Sequence, residues 1–388
     1  MNNKIITFTT KGGDGNSWAL DQMLLYVKNG LQKKTNWCFV ESISFADIVI
    51  FGWYPGFLEN RFLLNKNQII ISLLENDTKE IYFDLFKNKH FQRIDIWLTQ
   101  STKEREILKG KNTQAYVMPY TKLKKIENNN YLNNDFEKIL NPLIEFKKNS
   151  NQKLILSFQR DSSLVNGEWI PKRQKNPKYL LELYKEARNQ ELQVMLVLCG
   201  PRRHWIVDQL DKNNLPYIFL GIKPTKEDDY LKKLPRELIL KIIQECDFSI
   251  VTSLWEGGPL CIIESIEERK LTFSTSVGFS NDLLPNELLL SGVILNDINT
   301  IKNMINSDLI QKNALNDALN KYSNFIELDL DKIIDHLILI FKSKHFSKKD
   351  LLNKYKFCKF DFVLAKLENF IRRLKLFIRR KLMYFFSI

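Results

Sequence analysis

The chain alternates short apolar segments with helical patterns, and the alternation occurs twice along its length. In the first part, continuous apolar runs are typical of buried parallel strands, because such strands are covered on both faces. These runs lie at residues 5–9, 48–53, 69–74, 94–99 and 115–118, with helices predicted between them, notably at 18–31 and 103–108. A βαβ series of this kind predicts a doubly wound sheet with ligands at the carboxyl ends of its strands.

A polar, Asn-rich segment interrupts this pattern, and the alternation then restarts. Further strands are predicted at residues 154–158, 193–199, 218–220 and 248–252, and helices at 177–189 and 235–245. A chain of 388 residues is long enough for two α/β domains with separate cores. We therefore predict an α/β fold with two Rossmann-like, doubly wound parallel-sheet domains and a cleft between them. The predicted boundaries are 1–135, a linker at 136–152, 153–335, and C-terminal helices at 336–388.

The net charge of +13 is concentrated at one end of the chain. Residues 341–388 contain 14 Lys or Arg and three acidic residues, so this segment carries +11 and the remaining chain only +2. The positive charge therefore predicts a partner for the tail rather than a nucleic-acid-binding body.

Cysteine and histidine spacing predicts neither a disulfide framework nor a metal site. The five cysteines are scattered without a CxxC motif, and no histidine lies at metal-ligand spacing from another. No basic and apolar leader is apparent at the N-terminus, and no apolar stretch approaches the roughly 20 residues that span a bilayer. We expect a cytoplasmic protein that does not cross the membrane.

The segment 246–278 carries the strongest signal of chemistry. A predicted strand at 248–252 leads to Glu256 and two glycines, which directly precede a predicted helix containing Glu264. The glycines allow a close backbone approach, and the unpaired N–H groups of a helix start favour an anion such as a diphosphate. Glu264 follows eight residues after Glu256, so both carboxylates can face the same side.

This segment resembles the E-x7-E region of family 4 glycosyltransferases, which have the GT-B fold. In that family an aspartate precedes a strand, S-x-x-E-G-x-P-L follows, and a second glutamate lies in the next helix. The matching residues here are Asp247, Ser253, Glu256, Gly257, Pro259, Leu260 and Glu264. The resemblance extends back to a strand ending at Arg160, to Lys175 before a helix, and to a strand ending at Gly200.

The resemblance implies a role for each matched residue. Arg160 and Lys175 would neutralise the diphosphate leaving group, Glu256 would hold the donor sugar, and Glu264 would bind the ribose. Further donor contacts are implied for Gly257, Gly258, Pro259, Leu260 and Gly200. The family retains the anomeric configuration and requires no metal or other cofactor.

Ordinary structural roles remain open for these residues. Glu256 is also consistent with a solvated loop, and Glu264 with a charge that stabilises a helix start. Lys172, Arg173 and Lys178 compete with Lys175 for the phosphate role.

The first predicted domain contributes acceptor-side candidates. A glycine-rich loop after the first strand offers Gly12, Gly13 and Asn16 as further donor contacts, by resemblance to the family's glycine loop. It is not a GxGxxG motif, which argues against a nicotinamide dehydrogenase. Weaker acceptor-side candidates are Glu75, Asp77 and Trp53, which follow predicted strand ends.

Residues 362–388 form a predicted amphipathic, cationic C-terminal helix. Its apolar residues recur at steps of three and four, and the basic residues on the remaining arc are Lys366, Arg372, Arg373, Lys375, Arg379, Arg380 and Lys381. Such a helix suits an anionic membrane surface. Docking on the protein itself or on a second subunit remains the alternative, and nucleic acid is not expected because the aromatic residues lie on the apolar face.

Together, the resemblance and the tail predict a retaining glycosyltransferase, similar to a hexosyltransferase, that moves a sugar from a nucleotide-sugar donor to a glycan or lipid-linked acceptor. Its expected setting is polysaccharide or lipopolysaccharide assembly at the inner face of the plasma membrane. Two alternatives remain: a nucleotide-sugar 2-epimerase of the same fold and a non-catalytic scaffold that binds sugar nucleotides.

Overall fold

The structure is a computed structural model that describes residues 6–11, 19–74, 91–109, 114–118, 135–225, 227, 234–326 and 335. The chain divides into two compact units, one containing Met1–Thr121 and the other Lys122–Glu327. Each unit contains its own parallel sheet of six strands, so the predicted α/β class with two Rossmann-like domains is confirmed.

The first unit contains a parallel sheet in the order β2-β1-β3-β4-β5-β6. Its strands are β1 (Thr7–Lys11), β2 (Cys38–Phe39), β3 (Ile48–Phe51), β4 (Ile69–Leu74), β5 (Ile96–Thr99) and β6 (Ala115–Val117). The described α-helices are α1 (Ala19–Lys34), α2 (Tyr54–Asn60) and α3 (Thr102–Lys109). The order reverses at β1, as in a doubly wound sheet. β1 begins two residues later than the sequence predicts and extends to Lys11, which pairs with Phe51 of β3.

The core of the first unit depends on the two central strands. All residues of β3 and β4 are buried, which explains their continuous apolar sequences. Aromatic side chains fill one face of the sheet: the rings of Phe51 and Phe57 meet edge-on with centroids 5.8 Å apart, and Phe91 packs beside Trp97.

The second unit contains a parallel sheet in the order β11-β10-β7-β12-β13-β14. Its strands are β7 (Lys153–Ser157), β10 (Val194–Cys199), β11 (Tyr217–Leu220), β12 (Phe248–Val251), β13 (Leu271–Thr275) and β14 (Leu289–Leu290). β7 lies between β10 and β12, where the strand order changes direction. Ligands of doubly wound sheets bind beyond the carboxyl ends of the strands at such a point.

Eight α-helices of the second unit lie within the described residues. They are α4 (Asp135–Asn149), α5 (Pro177–Asn189), α6 (His204–Lys212), α7 (Arg236–Glu245), α8 (Leu260–Glu267), α9 (Ser280–Leu283), α10 (Ile294–Ile305) and α11 (Asp308–Ile326). α4, in the predicted linker, buries Leu140 and Leu143 against Leu154 and Leu156 of β7. The segment therefore contributes to the core of the second unit.

A β-hairpin, unforeseen in the sequence, leaves the sheet after β7. Its strands are β8 (Ser162–Val165) and β9 (Glu168–Pro171), joined by Asn166 and Gly167 with positive φ values of 50° and 82°. Such left-handed pairs form the tight turns of two-residue hairpins, and Asn-Gly is their preferred sequence. The ring of Trp169 stacks on His204 at 3.6 Å, which fixes the hairpin to the start of α6.

Candidate active site

The carboxyl ends of three neighbouring strands carry the candidate residues of the second unit. Gln159 and Arg160 follow β7, Gly200 to Arg203 follow β10, and Thr252 to Glu256 follow β12. Because β10, β7 and β12 are adjacent and parallel, these loops leave the same edge of the sheet.

Two predicted site residues meet directly at this edge. The Lys175 ammonium forms an ion pair with Oε1 of Glu256, although the residues are 81 positions apart in sequence. The Ser253 hydroxyl donates a hydrogen bond of 2.7 Å to the same oxygen. Lys175 ends a short 3-10 turn, and Asn176, with a left-handed φ of 47°, leads into α5. The structure thus brings together the residues that the resemblance assigns to phosphate and sugar.

The Gln159 side chain bridges the two segments that carry this pair. Its Nε2 donates to the Lys175 carbonyl at 3.3 Å and to Thr252 Oγ1 at 3.1 Å, while its Oε1 lies 3.1 Å from Ser253 Oγ. The backbone N–H of Leu254 also donates to the Gln174 carbonyl at 2.8 Å. The sequence analysis missed Gln159, since an amide before a candidate arginine carries no specific signal.

Further cations surround the ion pair. Burial, the charge of Lys175 and that of Arg160 lower the pKa of Lys172 to about 8, whereas Glu256 acts in the opposite direction and Arg202 adds to the lowering. Lys172, Lys175, Arg160 and Arg202 therefore form a cation cluster next to one carboxylate. Lys172 appeared in the sequence analysis only as a competitor of Lys175, and Arg202 did not appear.

A fully buried ion pair lies directly next to two members of this cluster in sequence, because Asp161 follows Arg160 and Arg203 follows Arg202. The Arg203 guanidinium lies 3.0 Å from the Asp161 carboxylate, and neither side chain is exposed by more than 1%. Arg203 also donates to Ser157 Oγ at 3.0 Å and to the Gln159 carbonyl. Burial raises the pKa of Asp161 to about 6, although Arg203 and the Ser162 hydroxyl lower it. The pair anchors the segment after β7 to the segment after β10.

The second glutamate of the motif already has a cationic partner. Glu264 lies in α8, and its Oε1 is 3.2 Å from Nε of Arg236 at the start of α7. Burial raises the pKa of Glu264, and the Arg236 charge and hydrogen bond oppose that rise. Glu264 is therefore ion-paired within the second unit rather than solvated.

The glycine turn is shaped by its own neighbours. A Cβ at Gly258 would lie 2.2 Å from a ring carbon of Phe279, and one at Gly278, where φ is +52°, would lie 2.3 Å from the Gly257 carbonyl oxygen. Internal packing thus accounts for glycine at 258, which the sequence analysis attributed to a ligand's approach. Pro259 precedes α8, which begins at Leu260 and therefore presents its amino end beside Glu256.

The remaining candidate residues differ in their surroundings, and several of them lie outside the described residues. Gly200 directly follows β10 with a φ of +86°, and an added Cβ there would lie 3.3 Å from the Phe158 carbonyl oxygen. Trp53 is 46% exposed beside α2, where its ring meets Tyr54 edge-on. Gly12, Gly13, Asn16, Glu75, Asp77 and the tail at 362–388 lie outside the described residues. Among the residues that are described, no group of His, Cys, Asp and Glu is arranged to hold a metal ion.

Residues 171–323 match the family model Glycosyl transferases group 1. This group 1 segment includes Lys172, Lys175, Glu256 and Glu264, whereas Arg160 lies outside it. A comparison with curated proteins gives no match.

Solved structures resemble the chain beyond the group 1 segment. That of Anabaena HepE in complex with UDP and glucose is 12% identical, covers 87% of this chain and 100% of its own, and has a TM-score of 0.56. That of a UDP-forming trehalose-phosphate synthase from Burkholderia vietnamiensis is 13% identical, covers 76% and 74%, and has a TM-score of 0.51. Together with the two parallel sheets, this likeness shows the GT-B fold.

The chain is shorter than some of the proteins it resembles. It spans 59% of Staphylococcus aureus TarM, with 15% identity, 79% of this chain covered and a TM-score of 0.49. It spans 57% of the matched chain in a GtfA/B complex. Within the described residues, no helix has the length and apolar character needed to cross a membrane.

Proposed function

We propose that the chain is a retaining glycosyltransferase of the family 4 type, with a nucleotide-sugar donor and a glycan or lipid-linked acceptor. The observation that carries the proposal is the contact between Lys175 and Glu256 inside the group 1 segment. The cation and the carboxylate lie at one edge of the sheet. The cation suits the diphosphate of such a donor, and the carboxylate suits its sugar hydroxyls.

The proposed reaction breaks the bond between the anomeric carbon and the diphosphate oxygen. Negative charge develops on the leaving nucleoside diphosphate, and the cation cluster stabilises it. The acceptor hydroxyl oxygen bonds to the anomeric carbon as its proton passes to the departing diphosphate oxygen, and retention follows if attack and departure share one face of the sugar. Glu256 holds the sugar hydroxyls, Glu264 binds the ribose, and the amide groups of 257–260 contact phosphate or sugar. No metal or other cofactor takes part in this proposal.

Product analysis tests the proposed activity. Thermal-shift measurements with UDP-, GDP-, ADP- and CMP-sugars identify the donor, because a ligand that binds only the folded state raises its stability. The labelled donor is then incubated with the protein and a bacterial lipid extract. Free nucleotide with labelled glycolipid supports transfer, an epimerised donor supports the 2-epimerase, and donor binding without either product supports a scaffold. An inverted anomeric configuration would contradict retention.

Lys172 gives the proposed site a distinctive pH dependence. Nucleoside diphosphate binding should weaken as the pH rises above about 8, because the Lys172 ammonium loses its proton there in the free protein. The dissociation constant should increase by up to about tenfold per pH unit until the pKa of the bound form is reached. Isothermal titration calorimetry with UDP and GDP at several pH values measures the effect. Lys172→Arg stays charged and should remove the dependence; an equal rise in that variant contradicts the assignment.

The basic tail motivates the proposed location at the inner face of the plasma membrane. Each cation near an anionic bilayer contributes about 1 kcal/mol, so deletion of 362–388 should reduce binding to phosphatidylglycerol-containing vesicles more than tenfold. Vesicle sedimentation measures the loss, with pure phosphatidylcholine vesicles as the control. Undiminished sedimentation of the truncated protein with the anionic vesicles would contradict the location.

A further inference from the structure

Glu256 and Lys175 form an ion pair with each other in the structure. We propose that this ion pair lets the site discriminate between the intact nucleotide-sugar donor and the spent nucleoside diphosphate. The inference rests on the proposed function and adds a specificity role that neither residue has alone.

The ion pair is largely withdrawn from solvent. The Lys175 side chain is 17% exposed and that of Glu256 is 11% exposed. The oxygen that accepts the Lys175 ammonium also accepts the Ser253 hydroxyl. In such surroundings a carboxylate that loses its cation is not fully compensated by water.

The backbone segments that carry the pair are joined to each other. Gln159 connects the Lys175 carbonyl with Thr252 and Ser253, and the Leu254 N–H is bonded to the Gln174 carbonyl. The two segments are therefore held at a fixed spacing. Separation of the pair therefore occurs through rotation of side chains rather than through movement of these segments, and the Ser253 hydroxyl restrains the Glu256 carboxylate.

A nucleoside diphosphate without a sugar binds the Lys175 ammonium but offers no sugar hydroxyl to Glu256. Its phosphates attract the Lys175 ammonium away from Glu256, so the largely buried carboxylate loses this ion pair and retains the Ser253 hydrogen bond. The free energy lost with the ion pair is subtracted from the gain at the phosphates, so a nucleoside diphosphate binds more weakly than its charge alone would predict.

A nucleotide sugar satisfies both partners. Its diphosphate binds Lys175, and its sugar hydroxyls donate to the Glu256 oxygen that the ammonium has left. After transfer the sugar is gone, and the returning Lys175 side chain competes with the bound diphosphate. The ion pair thereby favours entry of the donor and release of the product.

The inference predicts opposite effects of Glu256→Gln on two ligands. The neutral amide no longer holds Lys175, so the nucleoside diphosphate should bind about tenfold more tightly, whereas the nucleotide sugar should bind more weakly. Calorimetric titrations with UDP and UDP-glucose, GDP and GDP-mannose, and ADP and ADP-glucose provide matched pairs. The pair that binds the native protein most tightly is used throughout.

Two comparisons separate this mechanism from other effects of a lost charge. Glu264→Gln also neutralises a buried carboxylate with a cationic partner, and it should shift both ligands in the same direction. Where Lys175 is already replaced by Met, Glu256→Gln should no longer strengthen nucleotide binding. A general electrostatic effect would persist in that background, because the other cations remain. Melting temperatures establish that each variant is folded.

The outcomes distinguish the inference from the proposed function. Failure of every nucleotide and nucleotide sugar to bind the native protein would reject both. If nucleotide sugars bind and transfer occurs, but Glu256→Gln weakens or leaves unchanged the binding of the nucleoside diphosphate, only the discrimination by the ion pair is rejected. Strengthening that persists equally in the Lys175→Met background rejects it as well.

Discussion

Glu256→Gln should reduce the rate of sugar transfer by about 10²–10³-fold, the effect expected when one electrostatic contact of a transition state is removed. The substitution preserves the shape of the side chain and its hydrogen bond with Ser253, but it removes the charge that pairs with Lys175. Release of labelled nucleoside diphosphate in the presence of acceptor lipid measures the rate.

A matched substitution in the same region provides the control. Glu267 lies in α8, as Glu264 does, but its Oε1 accepts a 2.5 Å hydrogen bond from the Tyr322 hydroxyl. Glu267→Gln should therefore leave the rate within about twofold of the native value, because glutamine keeps an oxygen that can accept the Tyr322 hydrogen bond and neither residue belongs to the candidate site. Comparable losses in both variants would show that Glu256 acts through stability rather than through the reaction.

Arg203→Met should produce the largest loss of stability. The substitution leaves the Asp161 carboxyl fully buried without its cation, and breaking a buried pair in this way costs about 3–5 kcal/mol of unfolding free energy. Urea denaturation measures the loss. Lys212→Met, which removes the exposed partner of Asp208 in α6, should change stability by less than about 1 kcal/mol.

The loss in Arg203→Met should also depend on pH. In the native protein the pKa of Asp161 is about 6, above its ordinary value of 3.8, so its ionisation reduces stability between about pH 3.8 and pH 6 and causes no further loss above pH 6. Without Arg203 the pKa rises further. The variant should therefore lose more stability at pH 8 than at pH 5, and an equal loss at both values would contradict a charged, buried Asp161.

The two sheets were predictable because their strands are buried on both faces. Runs such as Ile69–Leu74 contain six consecutive buried residues, only one of them polar, and their short length, β-branched residues and flanking turn signals favour a strand over a buried helix segment. Short edge strands such as Cys38–Phe39 and Leu289–Leu290 were not predicted, since two residues carry no periodicity.

The hairpin at β8 and β9 was missed although its signal was present. Asn166 and Gly167 are the preferred turn pair, but the flanking strands do not alternate apolar and polar residues as a half-buried sheet does. Leu164, Val165 and Ile170 are all substantially exposed.

Within the site, side-chain type and motif were enough to bring together Lys175 and Glu256. The neighbouring residues were not predictable: Gln159 beside Lys175, Arg202 near Lys172 and Arg236 beside Glu264 come from three different loops or helix starts. Only the strand order places these segments at one edge. The packing that requires glycine at 258 was not predictable from the sequence either. The ring that leaves no room for a Cβ there belongs to Phe279, 21 residues further along the chain.

The closed base of the hairpin has a practical consequence. Ser162 N–H donates to the Arg202 carbonyl at 3.0 Å, and Lys172 N–H donates to the Asp161 carbonyl at 2.6 Å, so both ends are tied while the turn projects away. A fluorophore attached at Asn166 would lie at the turn of the hairpin, whose base lies among the phosphate-binding candidates. Nucleotide binding near the base of the hairpin could then be followed by fluorescence from this exposed turn.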